Sequence, residues 1–300
     1  MTSTDVTGPK AHPAFAAAFP TGDVTLLSRD DVLFPISSST LSRASPWFRN
    51  MLALPQGARR TSDAEPYIAM SESSDVLMDL LSMISGISLP TLNNVNTIQP
   101  LLYAAEKYEM TMPIAIIRIA LQTLVAKHPI RAYGIARHMS WDEEAEAAVR
   151  HTLELDIMSE DNARELAHLE GPDLTKLLML HDRRRKMVAA ALADTAQFNV
   201  GNMSDRRCCG DFEDRTTWWN LKMAWVTEPW RFLCLSQLVP GIAALPVEVE
   251  LAFESKCPKC KRHFYARRDT LEAFKRVARS LPQTIKVRTP VANAKSRSIC

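Results

Sequence analysis

Glycine is scarce in this chain, and its spacing excludes the common phosphate-binding loops. The 300 residues include nine glycines, and no two of them form Gly-x-Gly. Dinucleotide-binding and P-loop sites need glycine where the backbone approaches a phosphate closely. The Gly-x-Ser-x-Gly elbow of hydrolases and the His-Glu-x-x-His motif of zinc proteases are also missing. We therefore expect a protein that is not an enzyme and has no nucleotide cofactor.

Long apolar runs are missing as well. No stretch approaches the roughly 20 apolar residues that span a bilayer. The segment up to Pro20 lacks the charged start and long apolar centre of a secretory signal. These absences predict an intracellular protein without a membrane segment, in either the cytoplasm or the nucleus.

Cysteine is absent before Cys208, and this distribution does not fit a disulfide framework. Cys257 and Cys260 form a Cys-x-x-Cys pair, and two thiolates at this spacing can share one tetrahedral Zn²⁺. Cys209 is the preferred further ligand, with Cys208 and His263 as additional candidates. A structural zinc site and unmetallated thiols both remain open. A thioredoxin-like redox role would need a βαβ context, which the sequence does not show.

Charge is distributed unevenly. Residues 255–300 hold 13 Lys and Arg against two acidic residues, a local charge of +11 in a chain whose net charge is +2. A basic end can contact an anionic partner such as nucleic acid. A solvated helix face followed by a disordered end explains the same composition.

The N-terminal third has the pattern of a hairpin followed by amphipathic helices. Residues 23–28 alternate apolar and polar side chains, and residues 32–36 form the returning strand. A serine cluster at 37–39 then provides helix caps before an apolar-periodic segment. Residues 1–21, with three prolines, are predicted to be a flexible arm.

This order of elements resembles the BTB/POZ domain. The motifs are the hairpin, a helix with Leu and Ser-Pro-x-Phe, a short strand, an amphipathic helix, and Ala-Ala-x-Lys-Tyr. The matching positions are Asp23, Val24, Phe34, Leu41, Ser45, Phe48, Leu80, Leu81, Ala104, Ala105, Lys107 and Tyr108. The resemblance implies an α+β fold over residues 22–126, with a small sheet and a cluster of helices.

The rest of the chain resembles the extensions of such proteins. A mostly α-helical extension is expected over 127–198. Residues 199–289, with their tryptophans and Cys-x-x-Cys, look like the small C-terminal module of many fungal BTB proteins. Residues 290–300 are predicted to be a disordered tail.

The resemblance also implies a function. BTB proteins are adaptors that self-associate, so we expect a homodimer that recruits another protein, for example a cullin scaffold of a ubiquitin ligase. The alternative is a nuclear transcription or chromatin regulator whose basic C-terminal region contacts nucleic acid. The residues expected to contact a partner are Asp23, Leu41, Trp47, Phe48 and Met51.

Several of these features have a second interpretation. Ser37 and Ser38 stand where many relatives have a histidine and a basic residue, and residues 82–86 lack the aromatic residue usual in cullin-binding relatives. Asp23 can equally be a polar group that is hydrogen-bonded to nearby backbone.

Two features of the C-terminal half also have two interpretations. The tryptophans at 218, 219 and 225 suit a base-stacking platform for nucleic acid, but their helical spacing also suits packing in a protein core. The basic run 181–186 suits either a nuclear import signal or a solvated helix face.

Overall fold

The computed structural model describes residues 9–54, 67–194, 198, 207–208, 211–212, 216–230, 246–257 and 259–285. The chain divides into two compact units, one within residues 1–128 and the other within 129–300. Among the described helices, none combines the length and the apolar character needed to cross a membrane.

The first unit contains a small mixed sheet. Its strands are β1 (Lys10–Ala11), β2 (Val24–Leu27), β3 (Val32–Ile36) and β4 (Ile68–Ala69), in the order β1-β3-β2-β4. Strands β2 and β3 form the antiparallel hairpin that the alternation predicted, with Leu26 opposite Phe34. Both of these side chains are fully buried, so the hairpin presents one apolar face to the helices.

Within the described part of the first unit, six helices accompany this sheet. They are α1 (Pro13–Ala18), α2 (Ser38–Ala44), α3 (Pro46–Ala53), α4 (Ser74–Ser85), α5 (Val95–Lys107) and α6 (Thr111–Leu124). Ser45 caps α3 by accepting the Phe48 amide at 3.0 Å, and Pro46 occupies the first helical turn. Helix α4 ends at Gly86, whose φ of 71° is easily adopted only by glycine. The predicted α+β architecture is confirmed.

The structure corrects the flexible arm predicted at the N-terminus. Residues 10–18 form β1 and α1, and β1 pairs in parallel with β3. The His12 amide donates to the Leu33 carbonyl oxygen at 2.7 Å. Phe15 has no exposed surface, and its ring centroid lies 5.3 Å from that of Phe34. The arm is therefore part of the first unit's core from residue 10 onward. Residues 1–8 lie outside the described ranges.

The second unit is mostly helical. Its helices are α7 (Pro129–His138), α8 (Asp142–Thr152), α9 (Glu160–Leu166), α10 (Gly171–Ala193), α11 (Thr216–Thr227), α12 (Val247–Glu254) and α13 (Arg267–Ser280). A two-stranded hairpin of β5 (Arg207–Cys208) and β6 (Asp211–Phe212) precedes α11.

One core joins α10 to the elements that follow it. Val188 and Leu192 of α10 share this core with Phe198 and with side chains of α11, α12 and α13. The domain boundary expected near residue 199 therefore does not separate two cores. The described residues after position 128 form one unit, in which the extension and the C-terminal module pack together, while the tail predicted at 290–300 lies outside the described ranges.

The tryptophans at 218 and 225 and part of the basic run 181–186 contribute to the folding of the second unit. Trp218 and Trp225 are buried, which confirms core packing for two of the three tryptophans, whereas Trp219 is exposed. In the basic run, Asp182 forms ion pairs with Arg185 and Lys186 on the helix surface. Arg184 does not lie on the solvated face that was predicted for this run. Its side chain is buried and donates a hydrogen bond to the Pro282 carbonyl oxygen.

Candidate interaction surface of the first unit

Asp23 is engaged with the start of a helix. One of its carboxylate oxygens accepts the Ser38 amide at 2.7 Å, and the other accepts the Ser38 hydroxyl at 2.5 Å. These bonds lower the pKa of Asp23, because both favour its ionised form. A negative charge at the first residue of α2 also stabilises the helix dipole. In this conformation Asp23 organises α2 instead of offering a free carboxylate.

The same arrangement recurs at the start of α4, where the acceptor is Asp30 in the turn between β2 and β3. Asp30 accepts the Ser74 amide at 2.7 Å and the Ser74 hydroxyl at 2.5 Å. The bond from the Ser74 hydroxyl is the largest cause that lowers the pKa of Asp30, to about 2. The two aspartates of the hairpin thus fix the first residues of α2 and α4. An aspartate in a turn gives no local signal for a serine 44 residues later, so sequence analysis missed this contact.

The Ala-Ala-x-Lys-Tyr motif at the end of α5 connects the segment between β4 and α4 to the start of α3. The Tyr108 hydroxyl and the Lys107 ammonium both donate to the Glu72 carboxylate, the latter at 2.9 Å. Burial alone would raise the pKa of Glu72, but these hydrogen bonds outweigh burial and lower it. On its other side, the Tyr108 carbonyl oxygen accepts the Ser45 hydroxyl at 2.5 Å. The motif therefore fixes the position of α3.

The residues expected to contact a partner fall into two groups. Leu41 and Phe48 have no exposed surface, so they belong to the core and direct contact with a partner is not available to them. This corrects the expectation for both. Trp47 and Met51 are half-buried on α3. The Trp47 ring lies 5.1 Å from that of Tyr108, so its inner edge is anchored while part of it reaches the surface.

Helix α3 presents an apolar stripe that we call the α3 stripe, formed by Trp47, Met51 and Leu54. These residues follow one another at intervals of four and three, so they lie on one face of the helix. Leu54, just beyond the last turn, is 64% exposed. Sequence analysis missed Leu54, although the spacing from Met51 would have indicated it. A second exposed apolar pair, Met112 and Ile119, lies on α6.

A groove of about 450 Å³ lies between the start of α4 and α5. Its lining includes Asp75 and Asp79, and within the described ranges neither carboxylate forms an ion pair. Burial and the neighbouring charge of Asp75 raise the pKa of Asp79. Pro100 cannot donate the helical hydrogen bond to the Asn96 carbonyl, and both residues line this groove. The groove is acidic and rich in hydrogen-bond acceptors.

The predicted zinc ligands lie in the second unit, and the structure describes them in part. Cys257 is buried and Cys260 is half-buried, and neither forms a disulfide. The backbone of Cys208 lies in β5, whereas Cys209 lies outside the described residues. In the ranges that the structure describes, no three His, Cys, Asp or Glu side chains are grouped so that they could hold a metal ion.

Comparison with known proteins agrees with the geometry of the first unit. Residues 19–124 match the family model of the BTB/POZ domain. No match to a curated protein was found. The matched range contains the β2–β3 hairpin, the helices α2 to α6 and the α3 stripe. Residues 19–124 are therefore a BTB/POZ domain, which is a protein–protein interaction module.

Proposed function

We propose that this protein is an adaptor that self-associates through its BTB/POZ domain and recruits a second protein. The observation that carries the proposal is the α3 stripe, formed by Trp47, Met51 and Leu54 within the matched domain. Three large apolar side chains on one face of a helix are the usual form of a surface that another helix covers.

The energetics of such a contact favour a pair of identical copies. Full burial of an exposed Leu or Met side chain contributes about 1.5–3 kcal/mol. In a twofold dimer the same stripe is covered on both copies, so each contribution occurs twice. Tryptophan dominates many interfaces because it combines a large apolar area with few rotamers. Trp47 suits this role, because Phe48 and Tyr108 hold its ring.

Leu54→Glu is expected to weaken self-association at least tenfold without unfolding the domain. The new carboxylate would be buried in the contact unpaired, whereas in the monomer it reaches water. The matched control is Ile119→Glu on α6, because Ile119 is 66% exposed and Leu54 is 64% exposed. Sedimentation velocity over a range of concentrations gives the dissociation constant of each variant.

The comparison of the two variants decides which surface is used. Equal weakening by both would show that the effect follows from added charge alone. Weakening by Ile119→Glu only would move the contact to α6 and contradict the role of the α3 stripe.

The second protein is proposed to bind the acidic groove between α4 and α5. Asp75 and Asp79 lack ion-pair partners within the described ranges, and Asp79 is partly buried. An ion pair with a basic side chain of the partner would therefore be stronger here than at an open surface, where water weakens the attraction. A basic segment of a cullin scaffold would meet this requirement. We expect Asp75→Asn combined with Asp79→Asn to reduce recovery of the partner, because it removes both charges and preserves the shape of the side chains.

The alternative is a nuclear regulator that contacts nucleic acid. Exposed basic side chains in the second unit favour it, among them Lys261, Arg262, Arg268, Arg276 and Arg279. Affinity purification of the intact chain, with and without nuclease, separates the two functions. A cullin that is recovered in both samples and lost with the double Asn variant supports the adaptor. Chromatin proteins that disappear after nuclease treatment support the regulator, and the groove variant should then change nothing.

A further inference from the structure

A cavity of about 450 Å³ lies in the second unit, where the loop between α8 and α9 approaches α10 and the end of α11. Its apolar walls are Ile157 from the loop, Leu178 from α10, and Pro229 and Trp230 just after α11. Cavities of roughly 300–1,000 Å³ with mostly apolar walls and a few polar groups are typical of binding sites. This cavity is large enough to enclose an aromatic ring.

The polar group of this cavity that can accept a hydrogen bond is His181. The Thr152 hydroxyl donates to the Val149 carbonyl oxygen at 2.7 Å, so its oxygen is left to accept from His181 Nε2, which lies 3.3 Å away. Nε2 therefore carries the proton, and Nδ1 is an acceptor. Within the described residues no hydrogen bond reaches Nδ1, and Nδ1 is not one of the fully enclosed polar atoms that lack a partner. Because His181 lines the cavity, Nδ1 is available to a ligand there.

The imidazole of His181 is neutral at physiological pH. Burial, with a contribution from the charge of Arg184, lowers the pKa of His181 to about 4. The lone pair of Nδ1 therefore stays free, and a ligand with an N–H or O–H group can donate to it. A ligand without a donor would leave this acceptor buried and unpaired, so the site discriminates against such a ligand.

The rim of the cavity carries one carboxylate without a counter-ion. Asp156 Oδ1 accepts the Met158 amide at 3.1 Å, which fixes this carboxylate in the loop, and within the described ranges Asp156 forms no ion pair. The other acidic residue of the lining, Asp182, is already paired with Arg185 at 3.1 Å and with Lys186 at 2.7 Å. The uncompensated charge at the rim is therefore negative, and it favours a cationic group beside the ring.

The rim also exposes apolar surface that a small molecule inside the cavity would leave uncovered. Met158 is 76% exposed at the edge of the cavity, and methionine adapts its shape to different partners. Thr227 and Arg185 are exposed elsewhere on the rim. An aromatic anchor in a pocket with an exposed rim is typical of protein–protein contacts. A peptide segment therefore fits this site better than an isolated ring.

We propose that this cavity binds a segment of a partner protein in which a tryptophan or tyrosine is flanked by lysine or arginine. The aromatic ring fills the cavity, its N–H or O–H donates to Nδ1 of His181, and the neighbouring cation pairs with Asp156. Phenylalanine is disfavoured, because it has no donor for Nδ1. The first unit supplies none of these residues, so the site is independent of self-association and of the groove between α4 and α5.

The test uses the full chain and the capped peptide Gly-Lys-Trp-Lys-Gly, with affinity measured by isothermal titration calorimetry. Methylation of the indole nitrogen is expected to weaken binding about tenfold, because Nδ1 of His181 is then buried without a donor. His181→Phe keeps a ring at this position and removes the acceptor. This variant should therefore bind the methylated and unmethylated peptides equally.

Asp156→Asn is expected to weaken binding of the same peptide about three- to fivefold. The substitution removes only the charge, because the asparagine oxygen can still accept the Met158 amide. The matched control is Asp161→Asn, which removes an exposed carboxylate of α9 outside the lining of the cavity and should leave the affinity unchanged.

Four results would overturn the proposal. Absence of saturable binding up to about 1 mM peptide would mean that the cavity is not a peptide site. Equal binding of the methylated and unmethylated peptides by the wild-type chain would remove His181 from the contact. Equal weakening by Asp156→Asn and Asp161→Asn would show that only net charge matters. Tryptamine that binds as tightly as the peptide would assign the cavity to a small aromatic amine.

Discussion

Replacing Phe15 by alanine is expected to lower the free energy of unfolding of the first unit by about 3–5 kcal/mol. The Phe15 side chain is fully buried, and its ring contacts Phe34 edge-on at 5.3 Å and stacks near Phe19 at 6.1 Å. Removing it leaves a cavity beneath α1 and deprives the hairpin of an aromatic neighbour. A loss of this size is a large share of the stability of an ordinary domain.

Hydrogen exchange of the full chain, followed by mass spectrometry on peptides covering 24–36, measures this effect directly. The control is Phe19→Ala, because Phe19 lies in the same segment and is only half-buried. This substitution should lower the free energy of unfolding by less than half as much as Phe15→Ala. If the N-terminal segment were a loose arm, neither substitution would change protection of the hairpin. That outcome would contradict the packing of α1 described above.

The second unit is expected to lose about 3 kcal/mol of stability between pH 6.5 and pH 4 because of His181. Burial, assisted by the charge of Arg184, lowers the pKa of His181 to about 4. An unfolded chain protonates histidine near pH 6.5, so between these values the unfolded state binds more protons. Stability is therefore complete above pH 6.5 and falls by about 1.4 kcal/mol for each unit of pH below it, until the folded state also binds the proton.

Urea unfolding at several pH values, followed by tryptophan fluorescence, tests this dependence. Five of the six tryptophans lie in the second unit, so the signal reports that unit. His181→Gln should flatten the dependence between pH 6.5 and 5, a range above the usual titration of carboxylates. His168→Gln is the control, because His168 is exposed. An unchanged slope in His181→Gln, or an equal change in both variants, would show that another group is responsible.

The hairpin and the helices of the first unit were predictable because their signals are local. Alternation of period two over 23–28 and 32–36 predicted β2 and β3, and the serines at 37–39 marked the start of α2. The N-terminal helix was missed because three prolines and small residues are typical of a mobile segment. Its order comes from Phe15 entering a core that is formed by residues distant in sequence.

The partner-contact residues show how far a family motif can be used. Leu41 and Phe48 are characteristic of the motif because the core requires them, and the same requirement removes them from the surface. Leu54 lies outside the motif, and its exposure depends on where α3 ends. Asp23 was ambiguous in the sequence, because only the fold shows that Ser38 comes within hydrogen-bonding distance.

The boundary expected at residue 199 has a similar explanation. Loop-forming residues after α10 predicted that the helical segment ends there, and composition indicates such loops well. Whether a break also separates two cores depends on side-chain contacts across it. Leu192 and Phe198 on one side pack with Trp218 and Phe274 on the other, so the core continues across the change in composition.

Whether the BTB/POZ domain self-associates is decided by the molar mass of the intact chain in solution. Light scattering coupled to size exclusion, from high to low micromolar concentration, should give twice the chain mass of 33.6 kDa at the upper end. The Leu54→Glu variant should shift toward the monomer under the same conditions. A wild-type mass of one chain at every concentration would contradict the proposed dimer and leave the α3 stripe without the partner assigned to it.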